Sequence, residues 1–330
     1  MSRNLIVEFT KMHGAGNDFV VLDNRFLHFT KEELSDIAQK MCPRRFGIGA
    51  DGLLAFENPP DGESVDFRMR YVNTDGSPAT MCGNGARCLA QFAVRSGVPG
   101  PDVSFLTDAG VYWAVVGTRV DANASGASHA SGASHASNAA ERVRLFVPEP
   151  ERWTPSFALT GELPDGLGDV HFVWTGTEHL VAAVDDVYTA PLDEWGPHLR
   201  SDNALDPTGA NLNLVSFAAS ESWASDAEAS NLEASDAEGG VKGDRIHVRT
   251  FEKGVEAETL ACGTGVLASA VATAQLNGFD LAERRLHVST RGGDMTVGRA
   301  DSPDRTDHLY LEGPVAAVFR GTFEWGGLNR

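Results

Sequence analysis

Two stretches of small and apolar residues dominate the hydrophobic pattern of the chain. Residues 86–94 and 266–276 carry almost no charge on any face, which is typical of helices buried inside a domain rather than lying on its surface. A glycine follows each stretch, Gly97 in the first case and Gly278 in the second, and glycine commonly ends a helix. The pattern therefore predicts two buried helices.

A similar arrangement of strands surrounds each predicted helix. After the helices come two β-rich segments interrupted by glycine, 103–116 and 286–297, and each of them predicts a hairpin. Arg70-Tyr71-Val72 precedes the first helix by about the interval at which Arg249-Thr250-Phe251 precedes the second. The repetition predicts two homologous halves.

Each predicted helix begins with the same kind of four-residue pattern, Cys82-Gly83-Asn84-Gly85 in the first half and Cys262-Gly263-Thr264-Gly265 in the second. The N–H groups at a helix start are unpaired and carry a partial positive charge of roughly half a unit, which lowers the pKa of a thiol and can hold a carboxylate. Pseudo-two-fold symmetry would place one thiol on each side of a shared cleft. Inversion of a carbon centre needs that arrangement, because one thiolate removes a proton from one face while the other thiol protonates the opposite face.

Length and composition allow two cores of ordinary domain size, since the chain has 330 residues and is 42% apolar. It contains no apolar run near 18 residues, and its first residues lack the apolar core of a signal peptide. We therefore expect a cytoplasmic protein that does not enter the membrane.

The chain is strongly acidic, with a net charge of −19 and a pI near 4.8. This charge argues against nucleic acid as a partner, because a phosphate backbone attracts the opposite sign. Acid excess together with scarce lysine favours a salt-rich cytoplasm, as in a halophile, where surface carboxylates hold water and counterions. An acidic mesophilic protein from a high-GC genome is the alternative.

The other two cysteines have no comparable setting. Cys88 follows Cys82 by six residues on the same predicted helix, and the simplest interpretation of it is a small buried thiol. A zinc site is a weak alternative, because Cys82 and Cys88 are not in a C-x-x-C spacing and no histidine pair at metal spacing accompanies them.

Two further segments have the composition of flexible surface insertions. Residues 121–140 repeat Ser-Gly-Ala-Ser-His-Ala, and residues 218–240 are acidic and repeat Ala-Ser-Asp-Ala-Glu. His129 and His135 could suggest a metal, but they belong to the low-complexity repeat. Neither insertion is expected to carry chemistry.

The N-terminal run Lys11-Met12-His13-Gly14-Ala15-Gly16-Asn17-Asp18-Phe19 completes a pattern that closely resembles diaminopimelate epimerase. Five more blocks match that family in order: Gly47-Ile48-Gly49-Ala50-Asp51-Gly52, Asn73-Thr74-Asp75-Gly76-Ser77, Met81-Cys82-Gly83-Asn84-Gly85-Ala86-Arg87-Cys88, Gly209-Ala210-Asn211 and Ala261-Cys262-Gly263-Thr264-Gly265. One Cys-Gly-X-Gly segment would be weak evidence, whereas six ordered blocks are strong. The resemblance spans nearly the whole chain outside the two insertions.

The resemblance implies an isomerase that interconverts LL- and meso-diaminopimelate in lysine biosynthesis, with neither pyridoxal phosphate nor a metal as cofactor. It makes Cys82 and Cys262 the acid/base pair and places His179 beside the thiols. Asn17 and Glu252 would hold the reacting amino group. The helix-start residues Gly83, Asn84, Gly263 and Thr264 would bind the adjoining carboxylate. Without the resemblance, His179 would more often be structural, and Asn17 could simply cap a turn.

Recognition of the far end of the substrate is implied for Asn73, Asn211 and Lys253, although Asn73 could also be a turn cap. The chain departs from the family at three positions. Lys253 stands where arginine is common, which replaces a two-pronged carboxylate contact with a point charge. Thr177 stands where the family often has asparagine, and Gly52 replaces a glutamine of many members.

The fold implied by the family is α+β, with two pseudo-symmetric lobes, each a curved β-sheet wrapped around a central helix, and the active site in the cleft between them. The expected lobes are residues 1–148 with 315–330, which carry Cys82, and residues 149–314, which carry Cys262. Family members commonly form homodimers.

Two other function classes compete with the epimerase. A proline racemase or hydroxyproline epimerase shares the fold, but those enzymes typically carry histidine after the first Cys-Gly, where this chain has Asn84. A non-catalytic amino-acid-binding protein could keep the pocket, but binding alone would not require either thiol. In both alternatives, as in the epimerase, the ligand would be a small molecule.

Overall fold

The structure, a computed structural model, describes residues 5–118, 141–217, 244–300, 305 and 308–327. These residues divide into two compact units. The first comprises 5–118, 141–146 and 312–327, and the second comprises 147–217, 244–300, 305 and 308–311. The two predicted insertions, 121–140 and 218–240, lie outside the described residues, and so do His129 and His135.

The strands and helices of the first unit follow one another along the chain, except that the last strand comes from the C-terminal end. In chain order they are β1 (Leu5–Gly14), β2 (Asn17–Asp23), α1 (Asn24–Leu27), α2 (Lys31–Met41), β3 (Gly52–Glu57), β4 (Phe67–Asn73), β5 (Pro78–Ala79), α3 (Gly83–Arg95), β6 (Asp102–Thr107), β7 (Gly110–Thr118), β8 (Glu141–Pro148) and β17 (His308–Trp325).

The sheet of the first unit closes on itself, because β17 pairs with both β1 and β8. The result is a barrel of eight strands in the order β1-β2-β3-β4-β6-β7-β8-β17. Helix α3 contacts β1, β2, β3, β4 and β7 and is buried along almost its whole length. It is therefore the central helix that the sheet surrounds, as its mostly small and apolar sequence predicted.

The second unit contains a corresponding set of elements. They are β9 (Arg152–Thr154), β10 (Val170–Trp174), β11 (Glu178–Ala183), α4 (Leu192–Leu199), a 3₁₀ turn (Asn203–Leu205), β12 (Asn211–Phe217), β13 (Arg245–Glu252), β14 (Ala257–Thr259), α5 (Gly263–Asn277), β15 (Leu286–Thr290) and β16 (Gly293–Arg299).

Strand pairing repeats from one unit to the other. In the first unit β1-β2-β3-β4-β6-β7 pair in the sequence antiparallel, parallel, antiparallel, parallel, antiparallel. In the second unit β10-β11-β12-β13-β15-β16 pair in the same sequence. The short strands β5 and β14 are added to β4 and β13 at equivalent places. The two units therefore share one topology.

The two central helices begin where the sequence pattern indicated. Helix α3 starts directly after Cys82, and α5 starts directly after Cys262. Gly278 ends α5 in the left-handed conformation with φ 67°, which glycine adopts without steric penalty. Every residue from Gly265 to Ala274 is buried, and α5 contacts strands β10, β11, β12, β13, β15 and β16. Each unit is therefore a curved sheet around one buried helix.

The predicted α+β class is confirmed by this combination of mixed sheets and few helices. The predicted hairpins over 103–116 and 286–297 are β6–β7 and β15–β16. Crossing a bilayer takes about 20 apolar residues in a helix, and every helix within the described ranges is shorter or more polar than that requirement.

Candidate active site

A tight turn between β1 and β2 brings Asn17 to the start of helix α3. Ala15 and Gly16 both have positive φ, 51° and 85°, as in the two-residue turns of hairpins. Gly14, which pairs with Asn17 across the turn, packs so closely on the helix that an added Cβ would lie 2.9 Å from the carbonyl oxygen of Asn84. The turn can approach the helix because position 14 has no side chain.

The thiol of Cys82 contacts the side chain of Asn17. Its Sγ atom donates to Asn17 Oδ1 over 3.5 Å, and the amide of Asn84 donates to the same oxygen over 3.4 Å. Cys82 is the N-cap residue of α3, and its carbonyl oxygen accepts the first helical hydrogen bond, from the N–H of Ala86 at 2.8 Å. The Asn17 carbonyl oxygen thus stands beside the thiol at the positive end of a helix.

The orientation of the Asn17 amide follows from its contact with a carboxylate. Asn17 Nδ2 donates to Asp51 Oδ2 over 2.6 Å, and the N–H of Asp18 donates to the same oxygen over 3.1 Å. Because a carboxylate oxygen can only accept here, the Asn17 carbonyl oxygen must face the opposite way, toward Cys82.

An ion-pair network supports this carboxylate. Arg44 joins Asp18 and Asp51 with contacts of 2.7 and 2.6 Å, and Lys11 pairs with Asp18 at 2.6 Å. Burial alone would raise the pKa of Asp18, but the hydrogen bonds from Arg44 and Lys11 outweigh it and lower that pKa to about 2. Asp18 is therefore in place as an anion near neutral pH.

Arg87 adds a buried positive charge to the first turns of α3. Its side chain is fully buried, and its Nη2 atom donates to Asn84 Oδ1 over 2.6 Å. Burial lowers the pKa of the guanidinium to about 10, so the group remains protonated at neutral pH. Asn84 is thereby oriented with its NH₂ group toward Asn17.

Asn73 lies at the end of β4, opposite Gly52 of β3. Its amide donates to Ser77 Oγ over 3.0 Å, and its backbone N–H donates to the Ser77 carbonyl oxygen over 2.9 Å. Asn73 therefore has the turn-capping contacts that the sequence allowed as an alternative.

The start of the second central helix resembles the first. Cys262 is the N-cap residue of α5, and its carbonyl oxygen accepts the N–H of Val266 at 2.9 Å. The thiol is buried, with 8% of the residue exposed, and lies 3.4 Å from the hydroxyl of Thr264. Thr175 donates to the Thr264 carbonyl oxygen over 3.0 Å, which attaches this helix start to the loop after β10.

His179 lies in the interior of the second unit between two side-chain amides. It is fully buried on β11, and it pairs in parallel register with Asn211 of β12. Its Nδ1 atom is 3.0 Å from the amide nitrogen of Asn213, and its Nε2 atom is 3.5 Å from that of Asn211. Thr250 donates to Asn213 Oδ1 over 2.9 Å.

Two charged residues at the end of β13 differ in their surroundings. Glu252 is half-buried, and its carbonyl oxygen accepts from Glu256 in the following turn over 2.8 Å. Lys253 places its ammonium 2.5 Å from Glu178 Oε2, while its backbone N–H donates to Asn211 Oδ1 over 2.9 Å. Burial would raise the pKa of Glu178, but the hydrogen bond from Lys253 lowers it.

The remaining cysteines are inert thiols inside the first unit. Burial raises the pKa of both Cys42 and Cys88 to about 12, as the simple interpretation of Cys88 suggested. Within the described ranges, no three His, Cys, Asp or Glu side chains are grouped so as to hold a metal ion.

Each unit therefore brings together part of the predicted set. Cys82, Gly83, Asn84 and Asn17 lie together in the first unit, and Cys262, Gly263 and Thr264 begin α5 in the second. Four further residues that the sequence did not single out support these groups, namely Asp51, Arg87, Glu178 and Asn213. A signal existed for Asn213, because residues two apart on a strand face the same way and Asn213 follows Asn211 by two.

Comparison with protein-family models gives a match to the model described as diaminopimelate epimerase, over residues 9–125 and 171–318. Curated relatives include a diaminopimelate epimerase of Chlorobaculum tepidum, 34% identical over 313 residues, which cover 94% of this chain and 99% of the relative. The diaminopimelate epimerase of Aquifex aeolicus is 34% identical over 324 residues, which cover 96% and 97%.

Solved structures share the fold at low sequence identity. A phenazine biosynthesis protein of the PhzF family from Bacillus anthracis has a TM-score of 0.66 at 15% identity, covering 97% of this chain and 99% of its own. A hydroxyproline epimerase from Agrobacterium vitis has a TM-score of 0.57 at 15% identity, covering 98% and 92%.

Proposed function

This chain belongs to the diaminopimelate epimerase family, and we propose that it interconverts LL- and meso-diaminopimelate in lysine biosynthesis. The observation that carries the proposal is the duplication of one chemical device. In each unit a cysteine, Cys82 or Cys262, is the N-cap residue of the buried helix, and glycine follows it. Two-base inversion of a carbon needs one acid/base group on each face, and the repeat supplies two thiols.

We propose that the two thiols exchange roles with the direction of the reaction. A thiolate at one position removes the α-proton, and the thiol at the other position protonates the opposite face of the carbon. The α-proton of an amino acid is far less acidic than a thiol with a pKa of about 8.5. The developing negative charge must therefore be stabilised electrostatically, in a site that excludes water.

The helix starts are suited to that stabilisation. The N–H groups of Gly83 and Asn84, and those of Gly263 and Thr264, belong to helix positions that lack intrahelical acceptors. We propose that they bind the carboxylate next to the reacting carbon, as helix N-termini bind other anions. Arg87 contributes a buried positive charge one turn into the first of these helices.

The reacting amino group would be held by Asn17 and Glu252. The Asn17 carbonyl oxygen is oriented by Asp51 and lies next to Cys82, so an ammonium group bound there would be within reach of the thiol. Glu252 would supply a negative charge from the second unit. His179 is assigned to the same reaction.

The far end of the substrate would meet Asn73, Asn211 and Lys253. Binding there would displace two existing contacts, because Lys253 pairs with Glu178 and Asn73 donates to Ser77. A distal carboxylate of the substrate would replace Glu178 as the partner of the Lys253 ammonium.

The proposal includes no organic cofactor and no metal, because thiol pairs carry out the proton transfers. Two reduced thiols are required, which suits the cytoplasm better than an oxidising compartment. The expected partner is the small-molecule substrate.

The experiment that tests the proposal follows α-proton exchange during inversion. The purified protein is incubated with LL-diaminopimelate in ²H₂O with reductant, and early time points are separated by chiral chromatography and mass spectrometry. Two-base transfer predicts deuterium in the first meso product, while the recovered LL substrate still carries hydrogen. Cys82→Ser and Cys262→Ser should each abolish turnover, whereas Cys42→Ala, at a buried thiol, should retain it.

Competing activities are tested in the same assay. L-Proline and trans-4-hydroxy-L-proline replace the diamino acid, and inversion of either with no turnover of LL-diaminopimelate would contradict the proposed substrate. Binding of LL-diaminopimelate without deuterium exchange, in a folded sample, would contradict catalysis itself.

A further inference from the structure

The imidazole of His179 lies between two side-chain amides whose orientations can be worked out independently. Asn213 faces Nδ1 at 3.0 Å, and Asn211 faces Nε2 at 3.5 Å. All three residues are buried, with 0%, 0% and 3% exposed for His179, Asn213 and Asn211. The protonation state of the ring can therefore be assigned from the network of hydrogen bonds around it.

The amide of Asn213 can point in only one direction. One of its two terminal atoms lies 2.8 Å from the carbonyl oxygen of Leu180, which can accept but not donate, so that atom is Nδ2. The other terminal atom is then Oδ1, which accepts from the Thr250 hydroxyl over 2.9 Å. The second hydrogen of Nδ2 points to His179 Nδ1, which must be the unprotonated ring nitrogen. A neutral imidazole in this site carries its proton on Nε2.

The amide of Asn211 is oriented by a backbone group. The N–H of Lys253 lies 2.9 Å from one terminal atom of this amide, and because an N–H can only donate, that atom is Oδ1. The NH₂ group of Asn211 therefore faces His179 Nε2–H. Two donors meet at 3.5 Å, so the contact is not a hydrogen bond. Among the described residues, the structure provides no acceptor for this buried Nε2–H, although buried polar groups are normally paired.

Burial disfavours an imidazolium at this position. Together with the ammonium of Lys253, burial lowers the pKa of His179 to about 3, against the opposing charge of Glu178. Glu178 and Lys253 pair with each other at 2.5 Å, so neither presents an uncompensated charge to the ring. His179 is neutral at the pH of the proposed reaction.

We propose that His179 serves the reaction as a neutral hydrogen-bond donor through Nε2–H to an anionic atom of the reacting system, and that Asn213 is the positioning residue that selects this tautomer. The inference rests on the proposed function for the identity of the reaction. A histidine beside a thiol would ordinarily be expected to act as a proton acceptor. His179 does not have that role in this proposal, because the ring nitrogen that could take up a proton, Nδ1, already accepts a hydrogen bond from Asn213. The acceptor would be a carboxylate oxygen of the amino acid or a thiolate sulfur.

The tautomer can be measured without activity. In ¹⁵N-labelled protein, with the His179 signals identified by their loss in His179→Gln, we expect Nε2 to be the protonated nitrogen from pH 8 to pH 5. Asn213→Ala should let the two tautomers interconvert, and Thr250→Val should do so partly, whereas Thr250→Ser keeps the hydroxyl and should resemble the wild type. A proton on Nδ1, or titration of the ring between pH 5 and 8, would overturn the inference.

The nature of the acceptor follows from ligand titrations of the same sample. Addition of LL-diaminopimelate should shift the Nε2–H proton signal, and the shift should persist in Cys82→Ser and Cys262→Ser if a carboxylate oxygen accepts. If a thiolate accepts, the shift should be lost in one of these variants. An Nε2–H signal unaffected by the ligand in every form of the protein would contradict the donor role.

Turnover measurements on His179 variants distinguish a hydrogen-bond donor from a general base. Gln places its amide NH₂ near the position of Nε2, so His179→Gln should keep activity within about ten-fold of the wild type, whereas His179→Leu should lose more than that. A positioned general base contributes about 10²–10⁴-fold, and a loss of that size in His179→Gln would refute the proposal. If the wild type itself fails to turn over diaminopimelate, the proposed function is wrong, while the tautomer and ligand titrations still decide the state of His179.

Discussion

Acidification should destabilise the protein through one buried side chain, His179. Its pKa is about 3 in the folded protein and about 6.5 in an unfolded chain. Between these two pH values the unfolded state binds a proton at this side chain and the folded state does not. The contribution of His179 to the free energy of unfolding is therefore fully present above about pH 6.5 and is lost progressively toward pH 3. Each pH unit in this window is equivalent to about 1.4 kcal/mol. From pH 7 to pH 5 the expected loss is therefore about 2 kcal/mol.

The assay is urea unfolding of the wild type and His179→Gln at pH 7 and pH 5. Carboxylates titrate alike in both proteins, so the difference between their two pH effects isolates the histidine. His198, which is exposed on α4, provides the control variant His198→Gln, and this variant should keep the full pH dependence of the wild type. If His179→Gln loses the same stability between pH 7 and pH 5 as the wild type, the side chain is not held neutral and the reasoning fails.

Three further changes test the groups around the proposed site. Gly265→Ala would push a Cβ into Asn213 Oδ1, so thermal melts should show about 1–3 kcal/mol of destabilisation, although alanine ordinarily favours a helix over glycine. Asp51→Ala should raise KM at least ten-fold, because it releases the Asn17 amide. Asp51→Asn keeps a hydrogen-bond acceptor, so its KM should stay within about three-fold of the wild type. Equal effects of the two variants would show that only the charge of Asp51 matters. Glu178→Gln removes the carboxylate that pairs with Lys253, so that the ammonium becomes available to the substrate. Steady-state kinetics should then show a lower KM for the diacid substrate. An unchanged KM would show that Lys253 does not bind the substrate.

The central helices and the hairpins were predictable because their signals are local. In α5 the long run of small, uncharged residues leaves no charged face, and the observed helix is buried along the same run. Gly278 marks its end, and the glycines at 110 and 293 mark the turns of the two hairpins. The repeat of cysteine, glycine and helix along the sequence was enough to predict two similar halves.

The supporting contacts of the site could not be predicted, because they depend on burial or join residues distant in sequence. The sequence around Arg87 does not reveal that its guanidinium is buried and contacts Asn84. The partner of Asn17 is Asp51, 34 residues away. Asn73, by contrast, makes its contacts with Ser77, four residues away, and such a local turn was open to prediction.

The closing strand of the first barrel has a consequence for how the chain is made. Strands β1 and β8 are synthesised long before β17, which pairs with both of them and follows the second unit along the chain. While the ribosome is still translating the second unit, both edges of the first sheet stand open, and open edges invite pairing with other chains. Closure of the first barrel must therefore wait until β17 has been synthesised, so deletion of β17 should damage the first unit although most of that unit precedes the second along the chain.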